Sequence, residues 1–393
     1  MKNILWLIPF VVSSTFLFAC QDSSKKVCDI YNTVLVEGKK ITLPVDENMY
    51  YFSRSIFQYE KDGKEFLHFE NTEKMQYEII NYDLETQKIS KRIRLHKQGP
   101  NATPSVMGSR PLGDSAFIAL FQNNISRITL LNGEGEIVSN FPIKSSSSYF
   151  IPFLPGSDFY TPGFMKDSIL YLAPLVSKPN MRKEDWRKTS LFFGLDLRTG
   201  YVDFLPIYYP LVFNENVKNL AMGAEFSYDY NYRKNRLVCS FIGYDSLMVI
   251  DDLCSVKWYD GKSRYIKSLK PKLFEAGQGM QSLIERKEQP HYYHMMYDKY
   301  RDVYFSFVEH PCEISDDESV MDYVKSREFS VIILDNKFRI IGETKFPGNR
   351  FFYMMSFVGR DGLYISENNL ANSDFDENKL VFTCFNLVNN IEK

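Results

Sequence analysis

The stretch KNRLVCSFIGYDSLMVID, residues 234–251, contains two apolar runs, each bordered by polar residues. The turn Lys234-Asn235 precedes the run 237–241, and the second run, 247–250, ends at Asp251. Branched and aromatic residues in short runs favour strands, and Asn and Asp favour turns because their side chains bond to nearby backbone. The stretch therefore predicts two antiparallel strands with a turn at each end.

Both turn signals recur along the chain. An Asp or Asn that ends an apolar run occurs, with a mean spacing of about 61 residues, at Asp83, Asn132, Asp196, Asp251, Asp335 and Asn386. A polar turn that precedes a run occurs at 61–63, 113–114, 166–167, 234–235, 301–302 and 361–362. Because the two kinds of turn alternate, each unit holds four strands, and radially repeated four-stranded units are propeller blades. The sequence predicts an all-β, six-bladed β-propeller of four-stranded antiparallel blades.

The two chain ends predict how the last blade is completed. Asn386 lies close to the C-terminus, which leaves little chain for an outer strand, and Lys40–Val45 is a strand-like run with no blade of its own. Pairing of this run beside Leu380–Phe382 would complete the sixth blade with both chain ends and remove an open sheet edge. A pair of β-sandwiches is the alternative architecture, but a sandwich does not require six similar units.

Composition agrees with a folded β protein. Of the 393 residues, 44% are hydrophobic and 24% are charged, values typical of globular domains rather than of disordered chains. Aromatic residues make up 16%, and Tyr and Phe favour strands. The net charge of −2 argues against a nucleic-acid partner, because such proteins usually carry a basic stripe.

The N-terminus predicts export and a lipid anchor. A short basic region precedes an apolar run, residues 4–18, that is too short to span a bilayer. The run ends at Leu17-Phe18-Ala19-Cys20, which resembles the bacterial lipobox. We therefore expect a signal peptide at 1–19, a lipidated Cys20 with a tether to residue 38, and the propeller at 39–393. An ordinary signal peptide with a chance Cys is the alternative.

Lipidation would decide where the protein resides. A diacylglycerol thioether with an amide-linked acyl chain such as palmitate supplies enough lipid for stable anchoring. The predicted location is the bacterial cell envelope, at the outer membrane, with either the periplasmic or the surface face. The lipid on Cys20 is the predicted membrane attachment.

Catalytic motifs are missing from the sequence. There is no GxSxG elbow, no HExxH pair, no phosphate-binding loop and no CxxC pair. The sequence therefore predicts no cofactor, no metal and no catalytic residue. Cys239 and Cys254 fall on adjacent segments of one blade, which leaves open a disulfide or two free thiols.

Four residues are candidates for a binding site. His291 and His294 lie on the predicted inner strand of blade five, but residues three apart on a strand face opposite sides, so they are poor partners for one metal ion. Glu225 lies on the predicted inner strand of blade four, and Trp186 lies in the basic-aromatic loop 181–188, where an exposed Trp is a candidate hot spot. An ordinary structural role is the alternative for each.

Blade five carries two predicted insertions. The first, 271–289, is polar with a short helical stretch. In the second, Ser315 and Glu318 match a helix capping box. The acidic run there also suggests a calcium loop, but its spacing does not fit, which favours the helix.

A family resemblance agrees with these predictions. The lipobox, the aromatic-rich blades and the segments Tyr297–Tyr304 and Gly261–Ile266 resemble an uncharacterised family of Bacteroidetes-type lipoproteins, a domain of unknown function in the six-bladed propeller group. The resemblance implies a propeller on the cell envelope and brings no catalytic residues.

Two classes of function follow. The first is a lipid-anchored binding or scaffold protein that recognises a protein or glycan partner without intrinsic catalysis. The second is a propeller hydrolase or lyase with its site in the central channel, which requires acid, base or nucleophile groups that converge on one point. The missing motifs favour the first, although fold alone decides neither.

Overall fold

Short strands joined by tight turns make up the described part of the chain. The computed structural model describes residues 32–71, 77–99, 101–103, 106–112, 118–122, 127–142, 153–155, 157–176, 188–210, 226–267, 269, 288–312 and 327–389. They belong to one compact unit, Tyr31–Lys393. Within these ranges all regular structure is β. No helix in the same ranges has the length and apolar character needed to cross a membrane.

The strands of the first half of the chain are short and regularly spaced. They are β1 (Thr33–Pro44), β2 (Ile56–Lys61), β3 (Lys64–Asn71), β4 (Tyr77–Asp83), β5 (Lys88–Leu95), β6 (Val106–Pro111), β7 (Ile118–Gln122), β8 (Arg127–Leu131), β9 (Ile137–Pro142), β10 (Phe153–Pro155), β11 (Phe164–Lys166), β12 (Ile169–Leu172), β13 (Pro174–Val176), β14 (Phe193–Asp196) and β15 (Val202–Phe204).

The second half continues in the same way. Its strands are β16 (Phe226–Asn231), β17 (Arg236–Phe241), β18 (Ser246–Asp251), β19 (Ser255–Asp260), β20 (His291–Asp298), β21 (Val303–Glu309), β22 (Phe329–Leu334), β23 (Ile340–Phe346), β24 (Phe352–Val358), β25 (Leu363–Ser366) and β26 (Lys379–Asn389).

These strands form antiparallel sets of four. Sets 1 to 4 are separate sheets: β2–β5, β6–β9, β11-β12-β14-β15 and β16–β19. Set 5 (β20–β23) and set 6 (β24-β25-β26-β1) are the halves of an eight-stranded sheet, joined where Thr33 pairs in parallel with Gly342. The strands β10 and β13 form a separate pair. This repetition of four-stranded antiparallel sheets is propeller-like and confirms the predicted all-β class.

In five of the six sets, the first hairpin has its turn where the sequence predicts one. Four turn residues have φ between 50° and 55°: Asp62, Asp167, Asn235 and Asp302. Asp and Asn adopt this left-handed conformation more readily than most residues. The predicted turn at 361–362 also joins β24 to β25, and the one at 113–114 lies outside the described residues.

The other predicted turn signal, an Asp or Asn that ends an apolar run, marks the end of a strand at five of its six positions. Asp83, Asn132, Asp196, Asp251 and Asp335 all lie at the end of the third strand of a set or directly after it. At Asp335, for example, the carboxylate accepts bonds from the backbone N–H groups of Lys337 and Arg339. Asn386 differs, because it lies inside β26 opposite Val36. No turn is needed there, since β26 continues beside β1 to Asn389.

The N-terminal run pairs beside the C-terminal strand, where the sequence predicts it. Ile41 lies opposite Phe382 and Leu43 lies opposite Leu380. However, β1 begins at Thr33, so the fold starts before residue 39, where the tether was predicted to end. Residues 33–38 belong to the fold because they continue the antiparallel ladder with β26, and Leu35 among them is only 6% exposed.

Apolar clusters fill the spaces between successive sets. Each cluster draws buried side chains from two sets: sets 1 and 2 (Ile79, Ile93, Leu131), 2 and 3 (Ile128, Leu170, Phe193), 3 and 4 (Phe164, Tyr228, Leu237), 4 and 5 (Val249, Tyr304, Phe338), 5 and 6 (Phe305, Val331, Phe385), and 6 and 1 (Leu43, Phe357, Tyr82). The last set therefore packs against the first, as each other set packs against the next.

Candidate functional site: a divided channel

The first strands of the sets surround a common space. β2 contacts both β6 and β24, and β20 contacts both β16 and β24. These five strands also line one cavity of about 170 Å³. We call the space that they enclose the channel.

A short segment of set 3 crosses this channel. In the crossing segment, Ser157–Pro162, the backbone N–H of Phe159 donates to the carbonyl of Arg54 at 3.0 Å, and the carbonyl of Tyr160 accepts from the N–H of Tyr228 at 2.9 Å. It therefore joins set 1 to set 4. The Asp158 carboxylate accepts from the N–H groups of Tyr160 and Thr161, which holds the segment in a turn.

Aromatic rings of the crossing segment divide the channel. Tyr160 packs edge-on against Tyr293, with ring centroids 4.3 Å apart, and Phe159 packs edge-on against His294 at 5.5 Å. Phe159 and Pro162 line the cavity, whereas Tyr293 does not. The segment therefore separates the cavity from a second group of residues, which lies where β20 and β24 begin.

That second group is centred on Glu309 and is called the Glu309 network, with His291, Arg327 and Tyr353. His291 Nδ1 lies 3.1 Å from Glu309 Oε2, Arg327 Nη1 lies 2.9 Å from the same oxygen, and the Tyr353 hydroxyl donates to Oε1. All four residues are buried. Burial, and next the charge of Glu309, raise the pKa of Tyr353 well above its usual range. The buried carboxylate is thus held by three partners.

The structure differs from the prediction that His291 and His294, on β20, face opposite sides of the strand. His291 pairs with Glu309 and His294 pairs with Phe307, because an irregularity between Tyr292 and His294 shifts the register. Directly paired residues lie on the same face, and Glu309 and Phe307 are two apart on β21. His291 and His294 therefore share a face, and the prediction of opposite faces was wrong because a bulge inserts one residue.

The bulge does not bring the two histidines into one site. His291 belongs to the Glu309 network, whereas His294 lines the cavity. Within the described ranges, no group of three or more His, Cys, Asp or Glu residues is arranged to hold a metal ion. Cys239 and Cys254 are free thiols, which decides between the two alternatives for that pair.

Polar side chains, which include Gln58, Lys299 and Ser356, line the cavity together with aromatic and apolar ones. Arg110 enters from β6, Asp229 from β16 and His294 from β20. The Arg110 guanidinium lies over the Phe57 ring at 4.0 Å. The Asp229 carboxylate accepts from the backbone N–H groups of Tyr230 and Tyr297, both at 2.8 Å.

Burial changes the ionisation of two of these groups. It raises the pKa of Asp229, although the two backbone donors and Arg110 act in the opposite direction. It lowers the pKa of His294 to about 3, so this imidazole is neutral at physiological pH. His294 is 2% exposed, and neither ring nitrogen has a hydrogen-bond partner in the described part of the chain.

Tyr232 belongs both to the cavity wall and to the protein surface. Its side chain lines the cavity and is 59% exposed. Its pKa is nevertheless raised, chiefly because the surrounding protein removes water from the hydroxyl, while a hydrogen bond with Arg110 acts in the opposite direction.

Three of the predicted functional residues cannot be placed. Cys20, Trp186 and Glu225 lie outside the described residues, as do most of segment 271–289 and the capping box at 315–318. His291 and His294 are described above. Sequence reasoning missed Arg110, Asp229 and the crossing segment, whose roles depend on contacts between distant sets. The available signal was a charged residue within an aromatic strand, as at Asp229 between Tyr228 and Tyr230.

Comparisons with known proteins give the following matches. The model of DUF4221, a domain of unknown function, matches residues 32–345. A crystal structure of a DUF4221 member from Bacteroides vulgatus has 53% sequence identity and a TM-score of 0.86, and covers 91% of this chain and 99% of that one. A protein from Bacteroides fragilis has 10% identity and a TM-score of 0.55, covers 92% of this chain and 96% of that one, and shows likeness of fold alone. A comparison with curated proteins gave no match.

Proposed function

The chain belongs to the DUF4221 family, and from that premise we propose that it is a lipid-anchored binding protein of the bacterial cell envelope. In this proposal Cys20 carries the lipid and the fold is a closed six-bladed propeller. The channel entrance, by which we mean the side of the crossing segment that holds Tyr160, Tyr293 and the Glu309 network, recognises a protein or glycan partner without turnover. The outer membrane is the proposed location. Each part rests on a different feature of the chain.

The arrangement of the sets supports the closed six-bladed propeller. Six four-stranded sets pack through six apolar clusters, and the last cluster joins set 6 to set 1. The crossing segment joins set 1 to set 4, which lie opposite each other in a six-membered ring. In such a ring the pairing of β1 with β26 joins the two ends of the chain within one blade.

One observation carries the proposal of binding: around the channel entrance, charges are paired while aromatic rings remain accessible. Glu309 is held by three partners, and Arg54 pairs with Asp158 at 2.9 Å. Tyr160 and Tyr293 are only partly buried and pack against each other. Rigid Tyr rings provide contact area at low entropic cost, which suits recognition.

Binding at the entrance is tested with arrays of envelope glycans and peptides. We expect Tyr293→Ala to weaken binding of the array ligand by at least about tenfold, because it removes a central aromatic contact. The matched control is Tyr201→Ala, which removes a 65% exposed ring beside β15, away from the channel. Equal affinities of the two variants for that ligand would contradict the proposed entrance site.

The proposed anchor has its own matched control. Cys20→Ser should abolish incorporation of labelled fatty acid, because the thiol is the proposed acylation point. Cys28→Ser, a few residues further along the same segment, should incorporate label as the unchanged chain does. Labelling of the Cys20→Ser variant would contradict the lipid anchor.

A propeller hydrolase or lyase is the second candidate function. The observation in its favour is the short contact between His291 and Glu309, since a carboxylate that orients an imidazole is a common arrangement for a general base. A screen of ester, lactone and glycan-lyase substrates distinguishes the two. Turnover that His291→Asn abolishes would favour the enzyme, and no turnover on any substrate would favour binding.

A further inference from the structure

The cavity below the crossing segment contains opposite charges that no ion pair neutralises. Within the described ranges, no carboxylate lies within 4.0 Å of Arg110, and no cationic side chain lies within 4.0 Å of Asp229. By contrast, Lys299, which lines the same cavity, pairs with Glu60 at 2.8 Å. Arg110 and Asp229 are partly buried, and charged groups withdrawn from water usually have an ion-pair partner, so the lack of one here requires an explanation.

The two groups face the same space from different sets. Arg110 lies on β6 of set 2 and Asp229 on β16 of set 4, and both line the cavity. The guanidinium lies over the Phe57 ring at 4.0 Å and hydrogen-bonds to the Tyr232 side chain, which leaves further N–H donors for a planar acceptor. Asp229 uses two of its four lone-pair positions for backbone N–H groups, which leaves two for a further donor.

His294 provides an independent observation of the same kind. Both of its buried ring nitrogens lack a partner in the described part of the chain, yet it lines the cavity. A buried neutral imidazole usually donates one hydrogen bond and accepts another. Its two unsatisfied nitrogens leave hydrogen-bonding capacity for a polar group from outside the chain.

We propose that this cavity binds a small zwitterion, a free α-amino acid with a short aliphatic side chain. The ligand carboxylate lies on Arg110, its ammonium group lies on Asp229, and His294 bonds to one of its polar groups. The volume agrees: the cavity measures about 170 Å³, and a cavity of about 150 Å³ accommodates benzene, which is only slightly smaller than valine. The apolar wall, which includes Phe159, Met295 and Val358, suits the aliphatic side chain.

This site is independent of the proposed partner at the entrance. The crossing segment lies between the two, and no member of the Glu309 network lines the cavity. An entrance that binds no glycan or peptide would therefore leave the amino-acid site intact, and the reverse also holds.

Calorimetry with valine and two analogues tests the proposal. Isovalerate lacks the amine of valine, and isobutylamine lacks its carboxylate. We expect saturable binding of valine to the purified chain and at least about tenfold weaker binding of each analogue, because each loses a charge-assisted contact. Isovalerate that binds as tightly as valine would overturn the role of Asp229, and absence of saturable binding for valine and similar amino acids would overturn the site.

Substitutions of Arg110 and Asp229 test which side chain contacts which charged group of valine. Arg110→Met should abolish measurable binding of valine, and Asp229→Asn should weaken it by about tenfold. The matched control is Arg236→Met: Arg236 also lies over a Phe ring, at 5.2 Å from Phe338, but pairs with Asp251 outside the cavity. Unchanged valine affinity in both cavity variants would overturn the proposal. The analogue series on the unchanged chain keeps the test decisive should a variant fail to fold.

Discussion

The two sides of the crossing segment differ in how their charged side chains are partnered. On one side, Glu309 is held by His291, Arg327 and Tyr353. On the other side, Arg110 and Asp229 share a cavity, and neither has an ion-pair partner among the described residues. Both sides draw residues from more than one set, so the fold itself does not account for the difference.

The presence or absence of ion-pair partners indicates a structural role for the Glu309 network and a binding role for Arg110 and Asp229. A buried charge with several partners contributes to the fold, and removal of one partner leaves the others uncompensated. A charge that faces a cavity without a partner costs stability, and proteins retain such costs mainly at functional sites. The same substitution on the two sides should therefore have different effects.

The largest expected effect is that of Arg327→Met. Arg327 is buried and lies 2.9 Å from Glu309 Oε2, so its loss leaves a buried carboxylate without its main counter-charge. We expect the free energy of unfolding to fall by about 3–5 kcal/mol, measured by urea denaturation. The double variant Glu309→Gln with Arg327→Met should recover part of the loss, because it leaves no lone charge. A loss of less than about 1 kcal/mol for Arg327→Met would contradict a structural role for the network.

Glu70 is a buried acid outside the cavity that has no ion-pair partner among the described residues. Glu70 is 5% exposed, and burial raises its pKa to about 7 against the opposing effect of the Ser109 and Ser55 hydroxyls. A raised folded-state pKa means that its contribution to stability is present below about pH 4.5 and is lost as the pH rises through about 7.

Glu70→Gln should remove this dependence on pH. The stability of the variant relative to the unchanged chain should increase by about 3 kcal/mol between pH 4 and pH 8. Chemical denaturation at a series of pH values measures this difference, and the buried histidines cancel because both chains contain them. A stability difference that stays constant with pH would show that Glu70 is ionised normally.

The smallest expected effect on stability is that of Arg110→Met. The guanidinium has no ion pair in the described structure, and Met retains contact with the Phe57 ring. We expect the free energy of unfolding to change by less than about 1 kcal/mol, by the denaturation assay used for Arg327→Met. A loss equal to that of Arg327→Met would show that Arg110 is structural and would remove the contrast between the two sides.

Much of the fold follows from local chemistry, which explains why the sequence predicts it. Asp62, Asp167, Asn235 and Asp302 all take the left-handed conformation that their turns require, and each is recognisable from its neighbours in sequence. The pairing of β1 with β26 was also predictable, because each terminus had a strand without a partner. The prediction of a turn at Asn386 was wrong because β26 continues through this residue beside β1.

The candidate site depends on contacts that sequence patterns do not carry. The register shift beside Tyr293 places His291 and His294 on one face, and no turn residue marks it. The crossing segment brings Phe159 against His294 from a different set. Arg110 and Asp229 meet only because two inner strands line one cavity. Their charges were visible in the sequence, but their lack of partners was not.

A crystal structure of the protein grown with valine tests whether the cavity binds an amino acid. Valine should occupy the cavity in every copy, with its carboxylate on the Arg110 guanidinium, its ammonium group on the Asp229 carboxylate and a hydrogen bond to His294. The same crystals grown with isovalerate should leave Asp229 without a ligand contact. A cavity that contains only water in the presence of valine, or an Arg110 side chain paired with a carboxylate of the chain itself, would contradict the amino-acid site.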